Sequence, residues 1–323
     1  MTHPGIVRIA SPLHLPRSLL CVLGGLIFET TKYHAYPNVS LLVLFLYNIP
    51  MQQKKGIDIS FIIVSFRDKE FLEQAIKSII VRTKELSCEI IVVDNDNSTD
   101  LQKYITSQFK DIQYLLMREN KGYGYALNKG AEIAKGQCYC ICNSDIEFSS
   151  DTIRNAYATL LTNQKIGILA PQIKFPDGSI QISWGRKPNL INEFITKIQD
   201  YLYRKKIIAH HIQQKADTGF FPAWATGACL LIQREVWEKL NGFDTHFFLY
   251  LEDSDFCLRA QQQNYKVLYC PELKIIHHLG QSKLKNITQA TVEAKRSQLY
   301  FYRKHNGAFQ LWLLSHYLRL KGL

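Results

Sequence analysis

The chain has 323 residues, 46% of them apolar, with 39 Lys and Arg against 28 Asp and Glu, a formal net charge of +11. That length and apolar share suit one large folded domain or two modest ones, and exclude bulk disorder. The positive surplus favours an anionic partner, whether nucleic acid, a phosphorylated small molecule or an acidic membrane, without choosing among them.

In chain order, the first fifty residues stand apart. The apolar stretches "SLLCVLGGLIF" (18–28) and "SLLVLFLY" (40–47) are each shorter than the roughly 20 residues that span a bilayer, and polar residues with Pro37 divide them. Arg8 and Arg17 give the first a faint likeness to a signal peptide, but no small-residue cleavage site follows. Residues 1–55 are read as an atypical extension. Translation is expected to start at Met51, where "MQQKKGIDIS" leads into the first strand; N-terminal sequencing of the native protein checks this.

From Asp58 the pattern turns regular. "ISFIIVSF" (59–66) is apolar on both faces and too short for a helix, as a central parallel strand is. A helical pattern follows over 68–81, with Phe71, Leu72, Ala75, Ile76, Ile79 and Ile80 at helical spacing. "CEIIVVD" (88–94) is the next strand, then a helix over 98–109 with Ser98 as N-cap. A third strand (112–117), a helix (124–136) closed by Gly136, and a fourth strand "CYCICN" (138–143) complete the alternation. Repeated βαβ units predict an α/β fold with a mostly parallel, Rossmann-like central sheet flanked by helices.

Further on, "FPDGSIQIS" (175–183) predicts a hairpin turning at Asp177-Gly178. A helix with a basic end follows (189–206), then a buried strand (227–232) and a helix stopped near Gly242. Next come an acid-led helix (253–265), two short strands (265–270 and 272–278) and a helical tail.

In such sheets ligands bind beyond the carboxyl ends of the strands. Those ends carry Ser65 to Asp68, Asp94 to Asp96, Arg118 to Asn120 and Asn143 to Asp145. "EDSD" (252–255) has two readings: acids enriched in a first helical turn, or a general base held ionised for an attacking hydroxyl. "CNSDIEF" (142–148) reads as an Asx-type turn or as oxygen ligands for Mg²⁺ or Mn²⁺. His277 and His278 are structural or complete a metal shell. Gly122-x-Gly124 lacks the third glycine of a dinucleotide fingerprint, with Leu127 in its place, and marks a close backbone approach instead. Cys138, Cys140 and Cys142 share a strand face but lack the second pair of a zinc site, so the cysteines read as buried thiols. Charge alone does not make a nucleic-acid binder, and no aromatic–basic motif stands out.

From Asp58 to about Lys304 the chain resembles the family 2 glycosyltransferases of the GT-A fold, particularly the rhamnosyltransferase-like bacterial branch. The likeness is carried by "ISFIIVSFRD", "IIVVDNDNSTD", "NKGYGYALNKG", "CNSDIEF", "IIHHLGQS" and above all the block from Thr226 to Glu272. It implies a glycosyltransferase domain over 56–285, with a C-terminal acceptor-side subregion, and a helical, basic amphipathic tail over 286–323. The implied donor is a nucleotide-diphosphate sugar, and the implied acceptor is a glycan or polyprenol-linked glycan.

The resemblance also implies roles. Asp94 touches the base or ribose, with Ser65 and Asp68 near the same nucleotide. Asn120, Gly122 and Asn128 line its floor, and Gly227 and Ala228 pass close to the donor sugar. Asn143-Ser144-Asp145 stands at the family's DxD position, with Asp145 the ligand of a divalent cation, Mg²⁺ or Mn²⁺. Asn143 replaces the first aspartate and supplies less charge. Asp253 matches the catalytic base and Glu252 its acceptor-positioning neighbour. His277, with Gly280, matches HxxG and reaches the metal or diphosphate.

In the tail, cations beside the stripe of Phe309, Trp312, Leu313, His316, Tyr317 and Leu320 suit an anionic membrane surface, or else pack a core or dimer. The expected place is cytoplasmic, peripheral on the inner face of the cell membrane. The rival readings are a catalytically silent nucleotide-sugar or glycan binder of the same fold, and a nicotinamide oxidoreductase.

Overall fold

The computed structural model describes residues 56–278 and 287–320. The expectations placed on residues 1–55, including Met51, and on Gly280 lie outside the described residues.

Eight strands form one sheet in the order β3-β2-β1-β4-β9-β6-β10-β5. They are β1 (Ile59–Ser65), β2 (Cys88–Asp94), β3 (Ile112–Leu116), β4 (Cys138–Asn143), β5 (Ile146–Phe148), β6 (Ile166–Lys174), β9 (Cys229–Gln233) and β10 (Lys266–His277). β9 runs against its neighbours β4 and β6, and β5 against β10, while the others are parallel. A two-stranded ribbon, β7 (Trp184–Gly185) and β8 (Trp224–Ala225), stands apart.

Strand alternation builds two apolar layers. Ile59, Phe61 and Ile63 of β1 face α1 (Lys69–Arg82), α2 (Thr99–Gln108) and α4 (Ile153–Thr162). Ile62 and Val64 face α3 (Tyr123–Ile133), α7 (Arg234–Leu240) and α8 (Glu252–Gln262). A sheet buried on both sides explains why its strands read as unbroken apolar runs. Two helices, α5 (Leu190–Arg204) and α6 (Ala209–Ala216), are inserted between β7 and β8. The C-terminal helices α9 (Ile287–His305) and α10 (Ala308–Leu320) pack on the domain through Phe247, Leu258, Phe301, Tyr302, Leu314 and Leu318.

Several expectations change. Ser98 does cap α2, its hydroxyl accepting the Leu101 N–H at 3.2 Å. Gly136 does not close α3, which ends at Ile133; its N–H donates to the Ser60 hydroxyl at 2.8 Å, and a Cβ there would strike Ser60. Gly178 turns the chain at φ +82, but Ile180 makes only an isolated bridge to Lys174, so the hairpin has no second strand. The two short strands after Tyr265 are one, β10, because the irregularity between Cys270 and Lys274 bends the ladder without ending it. The tail is two helices, broken at Asn306-Gly307.

Candidate active site

The carboxyl ends of β1, β2, β4, β6 and β10 open on one sheet edge, and register decides the neighbours. Ser65 pairs with Asp94, and Val64 with Asn143, so three polar strand ends stand side by side. β10 ends at His277, opposite Ile146 and hence beside Asp145. Because β9 is reversed, its start reaches this edge, where the Asn143 N–H donates to the Ala228 carbonyl at 2.9 Å.

Asp94 is fully buried. One of its oxygens accepts the Asp96 N–H at 2.8 Å and the other the Tyr114 hydroxyl at 2.7 Å. Asp68 accepts the Ser65 hydroxyl at 2.9 Å and, on its other oxygen, the Ser144 hydroxyl. Burial pushes the Asp68 carboxyl above its ordinary range, the two hydroxyls oppose that, and the Asp145 charge adds to the rise. Ser65, Asp68, Ser144 and Asp145 therefore form one cluster. A cavity of about 280 Å³ adjoins it, lined by Arg67, Asp68, Lys69, Asp96, Ser98 and Asp100 among others, with Arg67 paired to Asp96 at 2.6 Å.

Asp145 Oδ1 lies 3.2 Å from His277 Nε2, and His277 Nδ1 lies 2.8 Å from the Gln181 amide oxygen. An amide oxygen only accepts, so Nδ1 carries a proton there. In the neutral imidazole, Nε2 then turns a lone pair toward a carboxylate. A proton or a divalent cation between them resolves that contact, and one carboxylate oxygen with one imidazole nitrogen suits Mn²⁺ or Mg²⁺ completed by phosphate oxygens. The residues present thus fit such an ion.

Asp253 and Glu252 open α8 after Tyr250 and Leu251, both left-handed at φ +70 and +67. Such backbone costs about 1–3 kcal/mol per residue and persists only where its surroundings enforce it. Asp253 Oδ2 accepts the Gly227 N–H at 2.8 Å and Oδ1 the Ser254 N–H at 2.6 Å. Glu252 Oε2 is buried with no hydrogen-bond partner among the described residues. Burial, then the Asp253 charge, pushes Glu252 up to about 8. Burial also raises Asp253, opposed by the Gly227 and Ser254 N–H groups. The donors set the order: the Gly227 and Ser254 N–H groups favour the ionised form of Asp253, and Glu252, without such donors, holds its proton more tightly.

A pH dependence follows from Glu252. Its folded pKa is above the ordinary 4.5, so the stability linked to its proton is complete below that value and is lost as pH rises through about 8. Glu252→Gln, neutral at every pH, is expected to flatten the decline in urea midpoint between mildly acid and mildly alkaline buffer. An unchanged decline would place the linked proton elsewhere.

The family 2 glycosyl transferase model matches residues 60–241, more than half of the chain. The chain is a family 2 glycosyltransferase. It is similar to the N-acetylglucosaminyl-diphospho-decaprenol L-rhamnosyltransferase of Mycobacterium tuberculosis, 22% identical over 80% of this chain and 90% of that one. It also resembles the rhamnosyltransferase WbbL of Escherichia coli, 26% identical over 67% of this chain and 82% of the relative. Among solved structures, the mannosyltransferase PcManGT of Pyrobaculum calidifontis, in complex with GDP-Man and Mn²⁺, superposes with a TM-score of 0.52 at 15% identity, covering 83% of this chain and 72% of that one. That likeness shows the GT-A fold.

Within this glycosyltransferase some expected residues turn inward. The Asn128 amide is committed to the backbone of Phe243, donating to its carbonyl at 2.8 Å and accepting its N–H at 2.9 Å. Asn128 thus tethers the loop after α7. The Asn120 side-chain oxygen accepts the Gly122 N–H at 2.9 Å and shapes the turn into α3. Gly122 needs its glycine: φ is +99, and a Cβ would collide with the Phe248 carbonyl. Gly122→Ala is expected to destabilise the fold by about 1–3 kcal/mol, read from urea unfolding.

Tyr123 went unnoticed in the sequence, where it looks like any helix-opening aromatic. Its hydroxyl donates to the Gly227 carbonyl at 2.8 Å, so it braces the turn whose N–H holds Asp253. Gln181 and Tyr114 were missed for the same reason, since each acts across the fold. Three thiols, Cys140, Cys142 and Cys229, meet in the first apolar layer, fully buried. Burial holds Cys140 and Cys142 well above the ordinary thiol range, as packed neutral thiols.

Proposed function

We propose that this glycosyltransferase moves a sugar, rhamnose in the first instance, from a nucleotide-diphosphate donor to a hydroxyl of a lipid-linked glycan acceptor, inverting C1, in cell-surface polysaccharide synthesis. The names of the relatives support the sugar and the class of acceptor. The observation that carries the chemistry is the convergence on one sheet edge of a cation-suited pair, Asp145 and His277, and a base-suited carboxylate, Asp253.

In this reading Asp94 and Asp68 orient the nucleoside end of the donor. Asp145 and His277 would hold Mg²⁺ or Mn²⁺, which would supply positive charge against the leaving diphosphate. The neutral Asn143 adds no charge to this site. The Gly227 and Ser254 N–H groups keep Asp253 ionised, so it accepts the proton of the acceptor hydroxyl as that oxygen attacks C1 from the face opposite the diphosphate. One displacement inverts the centre, and no enzyme carboxylate bonds to the sugar. Glu252 keeps its proton in this reading and positions the acceptor beside Asp253.

Incubation with a panel of nucleotide sugars and Mg²⁺ or Mn²⁺, scored by nucleoside diphosphate released, tests the proposal; release with none of them would favour a silent binder. Asp145→Ala is expected to weaken nucleoside diphosphate binding in Mn²⁺ by tenfold or more, an estimate from the charge-assisted contact it removes. Equal affinity by titration calorimetry would remove Asp145 from the metal site.

No helix among the described residues is long and apolar enough to cross a membrane. In this reading the acceptor is met at the inner leaflet, and the exposure of the Phe309 and Trp312 rings on α10 supports contact with it.

A further inference from the structure

α5 is unusual among the helices of the described residues because it buries none of its own side chains. Its fully apolar stripe points to solvent: Ile191 is 73% exposed, Phe194 65% and Ile198 44%, with Ile195 and Tyr201 beside them. These positions recur every three or four residues, so they share one face. The opposite face is fixed. Glu193 accepts the Tyr302 hydroxyl at 2.8 Å and the Gln298 amide at 2.7 Å, and the Tyr203 hydroxyl donates to the Ile180 carbonyl at 2.9 Å. The helix is anchored at both ends with its apolar stripe turned outward.

Charge says what covers that stripe. Lys197, Arg204, Lys205 and Lys206 lie along α5 and at its end, all exposed; Asp200 lies within electrostatic reach of Arg204 and Asp177 of Lys206, but none of the four closes an ion pair among the described residues. In the tail, Lys304 is engaged by Asp244 and Asp255 and Arg296 by Glu293, while Lys295, Arg303 and Arg319 form no ion pair among the described residues. A second copy of the chain would bring the same four cations against these, whereas an anionic bilayer complements them. The segment leading into α5 is tied to the break between α9 and α10, the Asn306 amide donating to the Pro188 carbonyl at 3.0 Å and the Lys187 ammonium to the His305 carbonyl at 2.7 Å, and the Leu190 N–H at the start of α5 donates to the Gln310 side-chain oxygen of α10 at 3.4 Å.

We propose that α5 is the principal element docking this enzyme on an anionic bilayer, its apolar stripe inserted at the headgroup boundary and its cations on the lipid phosphates. This extends the lipid-linked acceptor reading. It assigns the surface contact to a helix inserted ahead of β8, the strand leading to Gly227, rather than to the tail alone.

Co-sedimentation of the full chain tests it, using phosphatidylcholine vesicles with and without phosphatidylglycerol and no acceptor, so that binding is read apart from turnover. Wild type binds the anionic vesicles. Phe194→Ser with Ile198→Ser lowers that affinity about tenfold or more, since two inserted side chains are lost. Arg204→Glu with Lys205→Glu and Lys206→Glu abolishes the preference for anionic lipid, each cation contributing about fivefold. Both variants keep wild-type circular dichroism and nucleotide affinity. Wild-type vesicle binding by either variant would overturn the proposal. So would equal binding to neutral vesicles, or a wild-type dimer that the Phe194→Ser, Ile198→Ser variant dissociates. Failure to release nucleoside diphosphate from any sugar donor would count against the catalytic reading and leave this result standing.

Discussion

Asp253→Asn is expected to lower kcat by about 10² to 10⁴, the range general-base removal produces, while donor affinity stays close to wild type. The amide matches the carboxylate in shape but cannot take the acceptor proton. The site also defines the control. Asp253 receives one backbone N–H on each oxygen, from Gly227 and Ser254. An amide offers a single acceptor, so one N–H loses its partner, a destabilisation of about 1–3 kcal/mol when buried. A small loss of thermal stability should therefore accompany a far larger loss of turnover. The acid limb of kcat/KM, set in wild type by a carboxyl raised through burial, should also disappear from the residual activity. Transfer at the wild-type rate would show that another group takes the proton.

Asp255→Ala carries the largest expected effect on stability. Asp255 is fully buried. It receives Arg259 Nε at 2.7 Å on one oxygen, and Lys304 Nζ and His305 Nε2, each at 2.7 Å, on the other. Burial opposes its ionisation, yet His305, Arg259 and Lys304 together hold its pKa below the ordinary value. Removing one partner of a buried charged network typically costs about 3–5 kcal/mol; here Arg259 of α8 loses its carboxylate, and Lys304 of α9 keeps only Asp244. Urea unfolding at neutral pH reads the loss. Because the folded pKa is depressed, this stabilisation is present above the ordinary aspartate pKa and is lost as pH falls through the folded value. Wild type and variant should therefore converge in strong acid. A variant as stable as wild type at neutral pH would mean the network contributes nothing net. The same network ties the helix carrying Asp253 to the helix preceding α10, so the carboxylate position and the docking of the tail share one joint.

The identity of the strands was legible because burial on both faces leaves an unmistakable local trace: β1, β2 and β4 are short apolar runs ending in small polar residues. α2 was legible through Ser98, whose capping bond closes within three residues. β6 went unread because Pro171 interrupts its pattern, and the ladder that accommodates the proline belongs to β10. α9 and α10 merged into one pattern because a two-residue break at Asn306-Gly307 barely disturbs apolar periodicity.

The alternation of strands and helices, the polar strand ends and the acids at the start of α8 all follow from local sequence, because each rests on neighbours within a few residues. What those groups do to one another is set by strand order and register. The reversal of β9 delivers the Gly227 N–H to Asp253, the last residue of β10 faces Asp145, and Asn128 is drawn away to Phe243. Such contacts join residues far apart in the chain, and they depend on strand order and register, which no local pattern of side chains encodes.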